Sequence, residues 1–292
     1  MTTARPRPDR LDAPVLDQRL AALEADLRER GSVMVAFSGG ADSAFLLAAA
    51  VRALGAGRVA AATAYSDSLP HGERGPALAF AHDLGVRVFT PRTSEMEREG
   101  YRANAGDRCY FCKAELLDVL GPLATEHGFD HVATGTNADD VLAGFRPGIR
   151  AAAERGAITP LHDAGLTKQQ IRTASRRWHL PTWDKPAAAC LSSRVAFGVE
   201  VTSFRLSRVE RAEVAVRSAL DEAGVDVVDL RVRDLGELAS IEIDADQVAS
   251  ALRLPRIVAA ALDAGFGRAE IDPKGFRSGS MNERLTEPAR YR

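Results

Sequence analysis

Residues 33–47 read V-M-V-A-F-S-G-G-A-D-S-A-F-L-L, and this stretch decides the fold of the chain. Its first five residues are all apolar, which is typical of a buried parallel strand. Ser38, Gly39 and Gly40 then interrupt the pattern, and a helical spacing of apolar residues begins after Asp42. Strand, glycine turn and helix together form a cradle for an anion, because glycine lets the backbone approach a phosphate and the first helical amides point at it.

Two serines and one acid accompany these glycines. The hydroxyls of Ser38 and Ser43 can add hydrogen-bond donors to a phosphate site. Asp42 is different, because a carboxylate beside phosphate oxygens repels them unless a cation lies between, and we therefore interpret it as a Mg²⁺ ligand. The alternative is an ordinary glycine-rich turn between a strand and a helix, without a ligand.

The turn lacks the lysine of the G-x-x-x-x-G-K-[ST] phosphate loop. Its sequence S-G-G-A-D-S, residues 38–43, resembles instead the PP-loop of ATP pyrophosphatases, found in GMP synthetases, NAD synthetases and RNA-thiolating enzymes. That resemblance implies an adenine nucleotide α-hydrolase-like fold. It also implies that ATP is cleaved between its α and β phosphates and that pyrophosphate is held in the loop.

The length and composition of the chain limit the kind of protein that it can be. Its 292 residues suggest about two domains, and a hydrophobic fraction of 46% is ordinary for a globular protein. A net charge of -2 and a pI near 6.3 argue against a nucleic-acid partner. No apolar run approaches about 20 residues, and the first ten residues lack the apolar core of a signal peptide. We therefore expect a cytoplasmic protein with no membrane partner, and we separately expect it to be a homo-oligomer.

Strand and helix patterns alternate after the glycine turn, and apolar runs predict strands at 33–37, 59–65, 86–89 and 131–134. This order predicts an α/β fold, with a parallel sheet covered by helices on both faces. Ligands of such sheets bind beyond the carboxyl ends of the strands. We expect ATP and its pyrophosphate to contact these ends, through Ala36, Ser38, Gly39, Gly40, Asp42, Ser43, Ala64, Ser66, Gly135 and Asn137. Asp139 or Asp140 is expected to cap the next helix.

A second, smaller α+β domain is predicted from the later part of the chain. Its pattern gives a helix at 204–223, strands at 227–232 and 240–243, a helix at 245–264 and a strand at 269–272. The predicted segments are an N-terminal arm with a lead-in helix (1–30), a nucleotide domain (31–200), a substrate domain (201–274) and a C-terminal tail (275–292).

The three cysteines fall as C-Y-F-C, Cys109 and Cys112, and far along the chain as Cys190. A C-x-x-C at the start of a helix brings two thiolates to one side of a turn, where they can share a metal and where the helix amides lower their pKa. Three thiolates suit a [4Fe–4S] cluster that lacks a fourth protein ligand. A redox or persulfide pair and plain buried cysteines are the alternatives that the residues leave open.

Five further motifs follow the glycine turn in a fixed order. They are D-R-C-Y-F-C-K (107–113), G-T-N-A-D-D (135–140), R-P-G-I-R-A-A-A-E (146–154), D-K-P-A-A-A-C-L-S-S-R (184–194) and L-R-V-R (230–233). Together with the turn they resemble the LarE family, ATP-dependent sulfur transferases that make the nickel-pincer nucleotide cofactor of lactate racemase. The resemblance extends over about residues 31–244.

The resemblance implies a specific reaction. LarE enzymes adenylylate a carboxylate of pyridinium-3,5-biscarboxylic acid mononucleotide, release pyrophosphate and deliver sulfur to form the thiocarboxylate. One form of the family sacrifices the sulfur of the cysteine matching Cys190 and leaves dehydroalanine. The other form holds a [4Fe–4S] cluster on three cysteines matching Cys109, Cys112 and Cys190, and the resemblance places this chain with it. The implied cofactors are ATP, Mg²⁺ and the cluster, with inorganic sulfide or a sulfur-donor protein as the source of sulfur.

Four arginines are candidates for binding this anionic substrate. Arg231 and Arg233 alternate on a predicted strand and so share one face. That face is either a solvated surface or, with the family resemblance, a site for the substrate phosphate or carboxylates. Arg108 and Arg194 lie close to the cysteines in sequence and are further candidates.

Three other functions compete with this interpretation. A tRNA-thiolating PP-loop enzyme would need an extended basic surface, which the composition does not provide. An amidotransferase-like ATP pyrophosphatase would leave the three cysteines without a role. A nucleotide-sensing binding module with a structural metal would release no pyrophosphate.

Overall fold

The computed structural model describes residues 13–142, 147–186, 189–277 and 279–281, which form two compact units. The first unit takes its described residues from Met1–Tyr65, His71–Thr93 and Cys112–Ala188. The second takes them from Ser66–Pro70, Ser94–Phe111 and Ala189–Arg292. The domain limits inferred from the sequence stay a prediction.

Parts of the predicted segments and motifs lie outside the described residues. They are the first twelve residues of the N-terminal arm, Arg146 of the third motif, residues 187–188 of the fourth, and residues 278 and 282–292 of the tail. Among the described residues, no helix combines the length and the apolar character that crossing a membrane requires.

A four-stranded, all-parallel sheet forms the centre of the first unit. Its strands are β1 (Val33–Ala36), β2 (Val59–Ala62), β3 (Arg87–Phe89) and β4 (His131–Ala133), in the spatial order β3-β2-β1-β4. Residues of β1 alternate between two apolar clusters, with Val33 and Val35 in one and Met34 in the other. The sheet is therefore buried on both faces, and the predicted α/β class is confirmed.

Helices of both units are numbered in chain order. They are α1 (Ala13–Arg30), α2 (Ala41–Leu54), α3 (His71–Asp83), α4 (Glu99–Arg102), α5 (Arg108–Glu126), α6 (Ala138–Leu142), α7 (Pro147–Glu154), α8 (Pro160–Asp163), α9 (Lys168–Arg177), α10 (Ser203–Glu222), α11 (Val248–Ala251) and α12 (Pro255–Asp263). On one face of the first sheet, Leu23 of α1 and Phe45 of α2 join the cluster of Val33. On the other face, Leu120 and Ala124 of α5 pack with Met34.

The second unit has its own mixed sheet of β5 (Leu230–Asp234), β6 (Leu238–Ile243) and β7 (Arg268–Ile271). β5 and β6 are antiparallel, whereas β6 and β7 are parallel. Helix α10 buries one stripe at helical spacing, with Leu206, Val209, Ala212, Val216 and Leu220. The predicted second, smaller α+β domain is present as this unit.

Three predicted elements differ clearly from the observed ones, and one of them is the strand predicted at 227–232, which is observed at Leu230–Asp234. The strand predicted at 59–65 ends at Ala62, where the polar residues of the next turn begin. The helix predicted at 245–264 is divided into α11 and α12. Pro255 causes the division, because proline suits the first turn of a helix and disfavours a helical conformation at the residue before it.

Candidate functional site

The glycine turn leaves β1 at the place where the strand order changes direction. β2 and β3 lie on one side of β1, and β4 lies on the other. A crevice for ligands forms at such a point, outside the carboxyl ends of the strands. Two hydrogen bonds fix the first residue of the turn: the amide of Phe37 donates to the carbonyl of Ala62 at 2.9 Å, and the hydroxyl of Thr63 donates to the carbonyl of Phe37 at 2.8 Å.

Serine hydroxyls close the turn. The amide of Ser38 donates to Oγ of Ser43 at 3.3 Å, and Oγ of Ser43 donates to the carbonyl of Gly40 at 3.1 Å. Gly39 has a φ of +72°, and a Cβ there would lie 3.1 Å from Cβ of Ala77. Glycine is therefore needed at position 39 for both conformation and space. Gly40 is the N-cap of α2 and brings no capping side chain, so the first amides of the helix face a prospective ligand.

Gly135, at the end of β4, packs directly on the first turn of α2. A Cβ at this position would lie 2.9 Å from the amide nitrogen and 3.1 Å from Cα of Ser43, and 3.2 Å from the carbonyl carbon of Asp42. These are backbone atoms, which a side-chain rotation cannot move away. A glycine here lets the two polar strand ends approach each other.

Gly135→Ala is expected to displace the first turn of α2 and to weaken the binding of inorganic pyrophosphate. The added methyl group should lower the free energy of unfolding by roughly 1–3 kcal/mol, as overpacking does elsewhere. Chemical denaturation and calorimetry with pyrophosphate measure the two effects. Gly121→Ala in α5 is the matched control, because a Cβ there meets nothing within 4 Å. Equal pyrophosphate affinity in both variants would contradict the prediction.

Asn137 orients the acidic residue of the turn. Its side chain is 1% exposed, and Nδ2 donates to Oδ2 of Asp42 at 3.2 Å. Oδ1 of Asn137 accepts the amides of Asp139 at 3.0 Å and of Asp140 at 3.2 Å, and so caps α6. Asn137 thus supplies the N-cap, and Oδ2 of Asp140 accepts the amide of Asn137 at 3.2 Å in return, so the prediction that Asp139 or Asp140 caps this helix is met in part by Asp140. Oδ2 of Asp139 instead accepts the amide of Lys168, the first residue of α9, at 2.8 Å.

The pKa of the Asp42 carboxyl group is raised above its ordinary value. Burial raises its pKa and nearby Asp140 adds to this, whereas Lys168 and the hydrogen bond from Asn137 act in the opposite direction. Oδ1 of Asp42 is buried and has no hydrogen-bond partner among the described residues. Such an oxygen is costly to bury unless a donor or a cation satisfies it.

This orphaned oxygen fits a Mg²⁺ ion. Mg²⁺ prefers oxygen ligands and is commonly held by one or two carboxylates together with substrate phosphates and waters. Within the described ranges, no three His, Cys, Asp or Glu residues surround a common metal position. Asp42 therefore fits as one protein ligand of a cation whose other ligands come from phosphates and waters.

Lys185 brings a positive charge to the turn. Its Nζ donates to the carbonyl of Gly39 at 3.0 Å and to Oε2 of Glu73 at 2.5 Å. Lys185 is not among the site residues predicted from the sequence. The available signal was its place in D-K-P-A-A-A-C, a motif that accompanies a phosphate loop without a lysine of its own.

Three other residues are expected to contact ATP. Ala36 and Ala64 are partly exposed at the ends of β1 and β2. Ser66 belongs to the second unit, where its Oγ lies 2.9 Å from Oγ of Ser68. Contact of these residues with ATP stays a prediction.

In the second unit, Cys190 precedes a short 3₁₀ turn, Leu191–Arg194. Its Sγ lies 3.0 Å from Oγ of Ser192. Nη1 of Arg194 donates back to the carbonyl of Cys190 at 2.9 Å and to that of Ala189. The same guanidinium forms a bidentate ion pair with Glu213: Nε donates to Oε1 at 2.9 Å, and Nη2 donates to Oε2 at 3.2 Å. Arg194 therefore fixes the backbone at the cysteine.

Two arginines from other elements hold the same backbone. Nη1 of Arg108 donates to the carbonyl of Ser192 at 2.8 Å, and Nη1 of Arg233 donates to that of Ser193 at 3.3 Å. Arg233 also pairs with Glu242 at 2.8 Å. We refer to Arg108, Arg194 and Arg233 together as the arginine clamp. It supplies guanidinium donors to the carbonyls of residues 189, 190, 192 and 193.

Arg231 is the fourth candidate arginine, and it is placed differently. It lies two residues before Arg233 on β5, opposite Glu242 of β6, with its guanidinium 5.5 Å from the ring centre of Phe276. It is partly buried, and burial lowers its pKa, with nearby Arg194 adding to the effect. This crowded positive charge favours an anion as a ligand. Substrate binding by any of the four arginines stays a prediction.

The structure brings the start of α5 next to the Cys190 segment. Cys109 and Cys112 lie in the first two turns of α5, and Cys109 follows Arg108, which contacts Ser192. Cys109 is exposed, whereas Cys112 and Cys190 are partly buried. Thiolates are the usual ligands of iron–sulfur clusters, so these residue types suit such a group, although the described ranges, which include all three cysteines, hold no three such side chains around a common metal position. Convergence of all three sulfur atoms stays a prediction.

Comparison with known proteins identifies the family. No protein-family model matches the chain. An uncharacterized protein of Synechocystis is 39% identical over 276 residues, which are 94% of this chain and 100% of that protein. The pyridinium-3,5-bisthiocarboxylic acid mononucleotide synthase of Lactiplantibacillus plantarum is 32% identical over 273 residues, 93% of this chain and 96% of that protein. The chain belongs to the LarE family.

LarE membership confirms the resemblance inferred from the six motifs. The similarity to the Lactiplantibacillus protein covers nearly the whole chain and therefore both units. An uncharacterized protein of Methanocaldococcus jannaschii is also similar, with 30% identity over 175 residues, 60% of this chain and 66% of that protein.

Proposed function

We propose that this LarE protein is an ATP-dependent sulfur transferase that converts pyridinium-3,5-biscarboxylic acid mononucleotide into its thiocarboxylate. The proposal rests on one observation: over 93% of its length, this chain is 32% identical to a protein named for the bisthiocarboxylic product. The glycine turn with Asp42 suits the use of ATP. The clamped segment with Cys190 suits the delivery of sulfur.

The first step activates a carboxylate. A substrate carboxylate oxygen attacks the α phosphorus of ATP, the bond to the bridging oxygen breaks, and pyrophosphate leaves with the electron pair. The α2 amides and the hydroxyls of Ser38 and Ser43 would hold that pyrophosphate, and Lys185 would neutralise part of its charge. Mg²⁺ at Asp42 would supply further charge neutralisation at the phosphate oxygens.

The second step forms the carbon–sulfur bond. A sulfur nucleophile attacks the activated carboxyl carbon, and AMP leaves with the electron pair of the broken carbon–oxygen bond. A [4Fe–4S] cluster held by Cys109, Cys112 and Cys190 would supply a bound sulfide as that nucleophile. Residues of the clamp would hold the Cys190 backbone in place during the transfer.

The proposal is tested by incubating the purified protein anaerobically with ATP, Mg²⁺, the biscarboxylic mononucleotide and sulfide. We expect AMP and pyrophosphate to form only when the mononucleotide is present, and mass spectrometry to detect exchange of oxygen for sulfur in the product. In parallel incubations that contain ammonia or tRNA, pyrophosphate release with ammonia incorporation, or sulfur incorporation into tRNA, would instead support one of the competing enzymes.

Arg231→Ala is expected to weaken binding of the mononucleotide more than binding of ATP. Loss of one charge-assisted hydrogen bond should cost roughly 1.5–3 kcal/mol, about tenfold or more in affinity. Calorimetry with each ligand separately makes the comparison. Arg217→Ala is the matched control, since its guanidinium donates to the carbonyl of Val227 in the same unit at 3.0 Å. Equal losses for both ligands would contradict the assignment.

A further inference from the structure

We propose that Arg108 is a positioning residue that fixes Cys109 relative to Cys190. The inference rests on the proposed function, in which both cysteines serve sulfur transfer. It gives Arg108 a role different from the substrate contact expected from the sequence.

The contacts of Arg108 are internal to the second unit. The side chain is 5% exposed, and Nη1 donates to Oδ1 of Asn104 at 2.5 Å and to the carbonyl of Ser192 at 2.8 Å. The guanidinium also lies 5.6 Å from the ring centre of Phe197. An entering anion would have to break these contacts. Breaking them would leave the buried carbonyl of Ser192 without its donor. Arg108 therefore suits a fixed internal link better than a ligand contact.

Asn104 extends the same link. It is fully buried and has a φ of 51°, in the left-handed region. Its Nδ2 donates to the carbonyls of Ala196 and Val199, at 2.8 Å each, and its own carbonyl accepts the amide of Gly198 at 3.1 Å. Asn104 and Arg108 thus join the turn before α5 to the segment that follows Cys190.

This link constrains the two cysteines because each is close to it in sequence. Cys109 is the neighbour of Arg108, and Cys190 is two residues from Ser192, although 84 residues separate Arg108 from Ser192. Consecutive Cα atoms are about 3.8 Å apart, so one hydrogen bond limits the separation of the two cysteines. The bond joins protein atoms alone, so the fold itself brings these two cysteines near each other.

Phe111 anchors the other side of Cys109. A Cβ on Gly100 of α4 would lie 2.1 Å from Cζ of Phe111, so the ring packs directly on the glycine backbone. Phe111 and Arg108 together hold the start of α5 at two points on either side of Cys109. The cysteine is left exposed between these two anchors.

The test measures proximity of the two thiols in the full-length chain. In a Cys112→Ser background, a short bis-maleimide should cross-link Cys109 to Cys190, and tryptic mass spectrometry quantifies the yield. Arg108→Met keeps buried volume but loses the hydrogen bonds, and we expect the yield to fall about fivefold. Arg108→Lys should restore most of it, because an ammonium can still donate to the carbonyl of Ser192.

Two further variants make the test decisive. Arg102→Ala is the control, because its guanidinium donates to the carbonyl of Met96 at 2.7 Å in the same unit, and we expect the yield to stay unchanged. Asn104→Gly removes the amide but suits the left-handed backbone, so it should fold even if Arg108→Met does not. It should lower the yield about threefold. An unchanged yield in Asn104→Gly and Arg108→Met would overturn the positioning role.

Iron uptake separates this inference from the proposed function. After anaerobic reconstitution with iron and sulfide, Arg108→Met should bind about half as much iron as the unaltered chain, or less, although all three cysteines remain. If the unaltered chain itself binds no iron, the cluster part of the proposed function fails. The cross-linking result still decides the role of Arg108 in that case.

Discussion

Asp42→Asn is expected to abolish Mg²⁺-dependent pyrophosphate release while raising the stability of the chain without ligands. The loss follows because a neutral amide is a far weaker ligand for Mg²⁺ than a carboxylate. The gain follows because Oδ1 of Asp42 is buried without a hydrogen-bond partner in the described part of the chain, and a charge there is unfavourable. One substitution should thus move activity and stability in opposite directions.

The pH dependence of this gain has a definite sign. Burial raises the pKa of Asp42 above its ordinary value of 3.8, so the folded state binds the proton more tightly than the unfolded state does. Stability of the parent protein therefore falls as the pH rises from that ordinary value through the raised pKa. The stability advantage of Asp42→Asn should grow over the same window and remain constant above it.

Thermal unfolding without Mg²⁺ or nucleotide, measured across this pH range, tests the predicted gain in stability. A pyrophosphate-release assay tests the predicted loss of activity. Asp139→Asn is the matched control, since its amide oxygen can still accept the amide of Lys168, and it should release pyrophosphate normally. Pyrophosphate release at the parent rate by Asp42→Asn would show that the metal assignment is wrong.

Replacing any one of Cys109, Cys112 and Cys190 by Ala is expected to abolish both the brown iron–sulfur absorbance and repeated sulfur transfer. When one of three thiolates is removed, two irons of the cluster lack a protein ligand instead of one. The cluster is then held too weakly to persist and to offer a single open iron for sulfide. Anaerobic purification followed by iron and acid-labile sulfide counts tests the first effect. The ratio of thiocarboxylate formed to protein present tests the second.

The sacrificial form of the family makes a different forecast. In that case only Cys190→Ala would stop the reaction, turnover would end after one sulfur, and residue 190 would lose the mass of H₂S. Intact-protein mass spectrometry after a productive reaction separates the two mechanisms. Dehydroalanine at position 190, with Cys109→Ala and Cys112→Ala still active, would refute the cluster mechanism for this chain.

The sequence predicts the first unit well because its signals are local. The apolar run that begins at Val33 is typical of a strand inside a sheet, and the glycines that follow permit the tight turn into α2, with a positive φ at Gly39. Gly135 is also found from the sequence, although the reason for a glycine there is a contact with Ser43 that no local pattern contains. The helix predicted at 245–264 is wrong at Pro255, where periodicity was followed across a proline.

The roles of long polar side chains are harder to predict, because they depend on partners distant in sequence. Lys185 reaches Gly39 across 146 residues, and Arg108 reaches Ser192 across 84. An arginine beside a cysteine has the same sequence signal whether it binds a substrate or a backbone carbonyl. Only the burial and the donor geometry of Arg108 distinguish these roles.

The arginine clamp bears on how sulfur chemistry can change during evolution. Its guanidinium groups bind main-chain carbonyls around Cys190, so what they hold does not depend on the side chain at that position. Under the proposed function, a lineage could exchange a consumable sulfur donor for a renewable one by gaining or losing Cys109 and Cys112 alone. The same fold would then support both an enzyme that consumes its own cysteine sulfur and an enzyme whose bound sulfide is replaced after each turnover.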